Sequence, residues 1–448
     1  MRIPLLLLSL FVQSAFAGDW PEFMGPARDQ TSPETEILDS MPAGGPPLLW
    51  DKEIGTGYSA PSVRGKLLVL HHRVAGEEVV EAFDAASGES RWRFGYPSSF
   101  TDPFGFNNGP RCTPLLTEDR CFTMGAEGVL LCVELATGKQ VWRRDTQKDF
   151  EVPPAFFGAG SSPLLEGGLL IVQVGGQPDS CLVAFDAATG KTVWQNVGEK
   201  SWTGVPMSGW PGERTVQWNR SNPIYEKQAS YCTPVAATIH GRRLILCLTA
   251  QGLVALEPKT GELQFCFWFR VPQNESVNAM TPVISGDLIF LSSAYYRLGS
   301  VTLRVRPDGK AVDEVWRNRV LEIHWTRPVL LDGHLYAFSG RNEPDAQFRC
   351  VELATGKLRW ERDESWQRGS DKPPAFGRGS AILADGKLIG LGETGLLALF
   401  RPSPEKVDEI GRFQVPGLEY PCWAAPVLAE KRLFLRSEKR LVCYNLAR

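Results

Sequence analysis

Ala82-Phe83-Asp84-Ala85-Ala86-Ser87-Gly88, with Trp92 four residues beyond the glycine, reads as an apolar strand, an acidic turn and a tryptophan on the returning strand. The phrase recurs as Val133-Glu134-Leu135-Ala136-Thr137-Gly138 before Trp142, and as Ala184-Phe185-Asp186-Ala187-Ala188-Thr189-Gly190 before Trp194. A fourth copy, Val351-Glu352-Leu353-Ala354-Thr355-Gly356, precedes Trp360. Each letter has a physical reason. An acid at the strand end can accept hydrogen bonds from the N–H groups of its own turn. Glycine reaches positive φ without a steric penalty. The indole is expected to pack against a neighbouring repeat, worth roughly 3–5 kcal/mol on truncation to alanine.

A second marker, ending in proline, precedes each phrase. It runs Tyr58-Ser59-Ala60-Pro61, Arg111-Cys112-Thr113-Pro114, Gly160-Ser161-Ser162-Pro163, Tyr231-Cys232-Thr233-Pro234, Ala279-Met280-Thr281-Pro282, Trp325-Thr326-Arg327-Pro328 and Trp423-Ala424-Ala425-Pro426. Arg378-Gly379-Ser380-Ala381 completes the set, with alanine in place of proline. Eight markers, each followed by short β-rich runs over about 40–50 residues, describe the four-stranded blades of a propeller. The tryptophan series agrees: Trp92, Trp142 and Trp194 are followed by Phe265 after Glu257-Pro258-Lys259-Thr260-Gly261, then by Trp316, Trp360 and Phe413. The eighth unit stops at Val442-Cys443-Tyr444-Asn445-Leu446, one strand short. The strand near Trp50 is expected to supply it and so remove the free edges of the ring. The fold expected is all-β: an eight-bladed β-propeller over residues 46–448, its last blade closed by the N-terminal strand.

The spacing from Trp194 to Phe265 is 71 residues, some twenty more than in the neighbouring repeats. The excess, residues 196–230, holds Trp202, Trp210 and Trp218 and reads as either a contact loop or a packed excursion. Residues 1–17 read as a cleaved export signal: Arg2, an apolar run from Leu5, and Ala15-Phe16-Ala17 before the cut. Residues 18–45 form an N-terminal extension. A periplasmic or secreted location follows, with no membrane span, since no later stretch approaches 18 apolar residues, and no lipid anchor, since no cysteine follows the cut. The net charge of −3, spread along the chain, gives no basic patch for nucleic acid. Among the ten cysteines, Cys132, Cys350 and Cys443 hold one strand position in three blades and read as small buried residues. Cys112 with Cys121, or Cys232 with Cys247, are the pairs that adjacent strands could bridge.

The Ala-Phe-Asp-Ala-Ala-Thr-Gly-Lys-x-x-Trp phrase resembles the repeat of the pyrroloquinoline quinone (PQQ)-type propellers, a superfamily of quinoprotein alcohol dehydrogenases and outer-membrane assembly lipoproteins. Trp20-Pro21-Glu22-Phe23-Met24-Gly25-Pro26 and Gly55-Thr56-Gly57-Tyr58-Ser59-Ala60-Pro61 resemble exported bacterial members of that group. The resemblance covers nearly the whole mature chain and is specific for fold, not activity. The chain departs from the dehydrogenases in having no Cys-Cys dipeptide and no recognisable calcium-binding set, and from the lipoproteins in having no attachment cysteine.

In a propeller the first strand of each blade lines the central channel, so the markers sample one mouth. Three residues before the proline stand Tyr58, Arg111, Gly160, Tyr231, Ala279, Trp325, Arg378 and Trp423. The side chains of Tyr58, Arg111, Tyr231, Trp325, Arg378 and Trp423 would either bind a planar or sugar ligand with its carboxylate or phosphate, or plug the funnel and pair with nearby acids. Of five histidines, His324 alone stands beside the marker ring; hydrolase, phosphate-loop and metalloprotease motifs are absent from the sequence. The leading expectation is a non-enzymatic scaffold without a cofactor, contacting a protein, small molecule or carbohydrate at a propeller face. The alternative is a PQQ- and Ca²⁺-dependent oxidoreductase; a hydrolase or lyase would need acids gathered around His324.

Overall fold

The computed structural model describes residues 18–208, 214–219, 221–367 and 374–448. Eight four-stranded antiparallel sheets form an eight-bladed β-propeller. Blade 1 comprises Ser62–Arg64, Leu67–Val74, Glu77–Asp84 and Ser90–Pro97, and the same order of strands repeats through blade 7. Blade 8 takes Val427–Ala429, Arg432–Arg436 and Arg440–Asn445 from the C-terminus and its outer strand, Leu48–Glu53, from the N-terminus. Trp50 lies opposite Cys443 in that pairing. The ring is closed as the incomplete last repeat requires.

The repeated phrase builds both the turn and the joint between blades. In blade 1, Asp84 Oδ1 accepts from the N–H groups of Ala86 and Ser87, both at 3.0 Å. The indole Nε1 of Trp92 then donates to Leu135 O, in the turn of blade 2, at 2.9 Å. Trp142 donates to Ala187 O, Trp194 to Pro258 O, Trp316 to Leu353 O and Trp360 to Ser403 O, each reaching the next turn in the ring. Trp50 does the same from blade 8 to Ala85 O of blade 1, at 3.1 Å. Across its own hairpin each indole faces a small residue: Ala82 opposite Trp92, Cys132 opposite Trp142, Ala184 opposite Trp194, Cys350 opposite Trp360. This explains three of the cysteines: Cys132, Cys350 and Cys443 leave room for a ring and are fully buried. All ten cysteines are free thiols, so neither candidate pair is bridged.

The turn glycine has two duties. Gly138 has φ +71°, and a Cβ there would lie 2.3 Å from the Trp92 ring of the preceding blade. Gly138→Ala combines left-handed strain with a clash at the joint. It is expected to destabilise the protein by at least about 2 kcal/mol, read as a lowered Tm, whereas Gly286→Ala, where a Cβ meets nothing within 4 Å, should cost only the φ strain.

Residues 18–45 make contacts with six of the eight blades. Trp20 bridges to Val63, Pro21 O accepts from Leu116 N, and Arg28 donates to Leu165 O. Further on, Asp29 O accepts from Arg327, Thr31 bridges to Leu383, and Ile37 bridges to Ala447. Blades 1, 2, 3, 6, 7 and 8 are thereby tied together. The excursion after blade 3 is packed where it is described: Trp202, fully buried, meets Trp268 of blade 4 edge-on, and Trp218 rests on Tyr225. Trp210 and residues 1–17, where an export signal is expected, lie outside the described residues. Among the described residues no helix is long and apolar enough to cross a membrane.

Candidate functional site: the aromatic mouth

The eight markers stand just before the innermost strands, and six of them carry large side chains toward one opening. The rings of Trp423 and Tyr58 are 4.8 Å apart, and those of Trp423 and Trp325 are 5.0 Å apart. The Arg378 guanidinium lies 4.6 Å from the Trp325 ring and Arg111 lies 5.6 Å from that of Tyr58. Tyr231 joins through Phe157, whose backbone N–H donates to its hydroxyl at 2.8 Å and whose ring is 5.5 Å away. All six predicted side chains therefore belong to one connected network, although Gly160 and Ala279 interrupt the rim on the Tyr231 side.

Both arginines are paired with acids. Arg111 meets Asp102 at 2.5 Å. Arg378 meets Glu393 at 2.8 Å and also binds Glu343. Glu393 is almost wholly buried and accepts further hydrogen bonds from the Arg378 backbone N–H at 2.7 Å and from Trp423 Nε1 at 2.6 Å. Tyr420 donates to Glu343 at 2.8 Å, and Tyr58 donates to Glu438 at 3.0 Å. Burial, and then the neighbouring carboxylates, raise both phenols. Burial also lowers Arg111.

His324 is held in the same network. Arg378 Nη1 donates to its Nδ1 at 3.1 Å, leaving Nε2–H to donate to Tyr295 Oη at 3.2 Å. Desolvation first, then the nearby guanidinium groups of Arg378 and Arg341, hold its pKa well below the usual histidine range. In blade 1, His71 sits 3.3 Å from Tyr96 Oη and is pushed down to about 3 by burial; its neighbour His72 pairs with Glu81 on another face. Buried neutral histidines make acid sensitivity predictable. Below pH 6.5 the unfolded chain takes up protons that the folded chain refuses, so stability falls with pH by up to about 1.4 kcal/mol per unit for each such group. Glu78, raised by burial, acts in the opposite sense above about 4.5. Urea midpoints should thus drop between about pH 7 and about pH 5, and His71→Asn should flatten that decline.

Sequence reasoning missed the partners that complete the mouth. Phe104 and Phe106, 55% and 52% exposed, stand on the loop before the second marker. Phe106 is 5.8 Å from Trp423 and 5.9 Å from Phe157, so the aromatic surface continues from the channel onto the face. Glu343 and Arg341 come from a turn between the middle strands of blade 6, and Glu393 from the corresponding turn of blade 7. None of these follows the repeat; only the Phe-rich Phe104-Gly105-Phe106 and Phe156-Phe157 stretches carry a readable cue.

A quinone with calcium needs a planar slot and several oxygen donors around the ion. Here Trp423 rests on both Tyr58 and Trp325, and Glu393, the carboxylate that its indole N–H meets, is bound to Arg378. Among the described residues no group of three or more His, Cys, Asp or Glu side chains could hold a metal ion.

A family profile described as the outer membrane protein assembly factor BamB matches residues 76–362. A comparison with curated protein sequences gave no match. Among solved structures, BamB from Moraxella catarrhalis is similar with a TM-score of 0.55 at 13% identity, covering 88% of this chain and 98% of that one. Quinohemoprotein alcohol dehydrogenase from Comamonas testosteroni gives 0.64 at 13% identity, covering 96% and 81%. A europium-containing methanol dehydrogenase gives 0.63 at 14%, covering 95% and 89%. At these identities the structural likenesses establish the fold alone.

Proposed function

Because this chain belongs to the PQQ-like propeller family whose profile is described as the assembly factor BamB, we propose that it is an exported, non-enzymatic binding or protein-interaction scaffold. Its contact surface is the marker face. One observation carries this reading: the six rim side chains merge with Phe106 and Phe157 into a continuous aromatic surface, while the ionisable groups beneath it are hydrogen-bonded to one another. Such a surface is equipped to hold a ligand and short of free acids and bases for catalysis. Residues 1–17 act as the removable export signal, and residues 46–448 as the propeller.

A photo-crosslinking residue at Phe106 should capture a specific partner in cells, and one at Val193, exposed on the outer strand of blade 3, should not. Equal labelling from both positions would reject the face. The dehydrogenase-like fold supports a second reading, a PQQ-dependent oxidoreductase. Adding PQQ and Ca²⁺ to the purified protein tests it: a shifted absorption spectrum with dye-linked alcohol oxidation would replace the scaffold reading.

A further inference from the structure

The aromatic surface ends in a cation on each side. On the blade 6 side, Arg341 lies 4.6 Å from the Tyr295 ring and 5.1 Å from the Tyr296 ring. Its guanidinium has no carboxylate partner among the described residues, in contrast to Arg111 and Arg378. Tyr295 is 5.1 Å from His324, which is 4.7 Å from Trp325, so Arg341 is continuous with the mouth. On the other side, Phe106 leads through Phe157 to Phe156, with no ring-to-ring step longer than 6.5 Å. Lys227 Nζ sits 4.6 Å from the Phe156 ring, and the carboxylate it approaches, at 3.8 Å, belongs to its sequence neighbour Glu226. An apolar band with a cation at either end complements a ligand of the inverse pattern.

We propose that the mouth face takes an extended peptide with an apolar, aromatic-rich middle and an acidic residue toward each end, the two carboxylates meeting Arg341 and Lys227. The inference rests on the scaffold reading and adds the chemistry of the partner. Stacking on Trp423 and Phe106 supplies affinity, because rings lose little conformational freedom on contact and expel water from apolar surface. The cations fix direction and register and discriminate against basic segments, for which they are repulsive. A neutral glycan would use the rings and leave both cations unmatched. For that reason the peptide is favoured.

Selection of a random dodecapeptide display library, whose members extend to roughly 40 Å, on the whole purified protein tests the proposal. Enriched sequences should carry Asp or Glu on both sides of an aromatic or aliphatic core. Binding of such a peptide, followed by fluorescence anisotropy, should weaken about two- to fivefold with Arg341→Ala or Lys227→Ala, and about tenfold or more with Phe106→Ala. It should also weaken with added salt. Enrichment of basic or uncharged sequences, no enrichment, or wild-type binding by both cation variants would overturn it. Crosslinking of a partner at Phe106 alongside any of those results would remove the peptide chemistry and keep the scaffold.

Discussion

Arg378→Ala is expected to destabilise the propeller by about 3–5 kcal/mol, the cost of leaving a buried charge unmatched. Glu393 is the reason. Its carboxylate is almost wholly buried, and its Arg378 partner reaches it through Nε at 3.3 Å and Nη2 at 2.8 Å. Removing the guanidinium also frees Glu343 and deprives Tyr420 and His324 of a shared neighbour. Glu393→Ala should be comparably severe, since it takes from Arg378 its most buried carboxylate and from the Trp423 N–H its acceptor. The paired change Arg378→Met with Glu393→Leu should recover much of the loss, because an apolar pair of similar volume carries no desolvation penalty. Urea denaturation of the three variants checks this. If both single variants unfold at the wild-type midpoint, the ion pair is not what holds the rim together.

Trp50→Ala should cost a similar amount, about 3–5 kcal/mol from the lost ring alone. It should also change the character of unfolding. Trp50 packs on Gly88 and donates to Ala85 O, so it serves blade 8 and blade 1 together. The strand that carries it is the sole N-terminal contribution to the last sheet. Weakening that one joint exposes the edge of Arg440–Asn445 and converts a closed ring into an open stack of blades. A broadened transition, with blade 8 amides exchanging before those of blade 4, is the expected signature. Trp92→Ala removes an equivalent ring from an interior joint, and should lower stability while leaving the ring connected by continuous chain.

The architecture was legible because its cause is local and repeated. An acid, a glycine and a tryptophan at fixed spacing dictate turn and joint together, and Phe265 opposite Ala255 shows the pattern tolerating a smaller ring. Alanine at position 381 marked blade 7 as clearly as proline did elsewhere, since Ser380–Ala384 forms its innermost strand. The candidate site was half legible. Marker positions named the rim residues because the fold projects them to one end of the channel. Their partners stand on turns and loops of unequal length, where no periodicity operates. Nothing in the sequence alone connects Arg378 to Glu343 or Trp423 to Phe106. Three of the free cysteines, Cys132, Cys350 and Cys443, follow the same logic: their place opposite an indole explains them, and a count of thiols could not.

The strap formed by residues 18–45 joins parts of the ring that lie far apart in sequence: Arg28 donates to Leu165 O of blade 3 while the next residue, Asp29, accepts through its carbonyl from Arg327 of blade 6. Loosening this one segment would therefore slacken several blades at once.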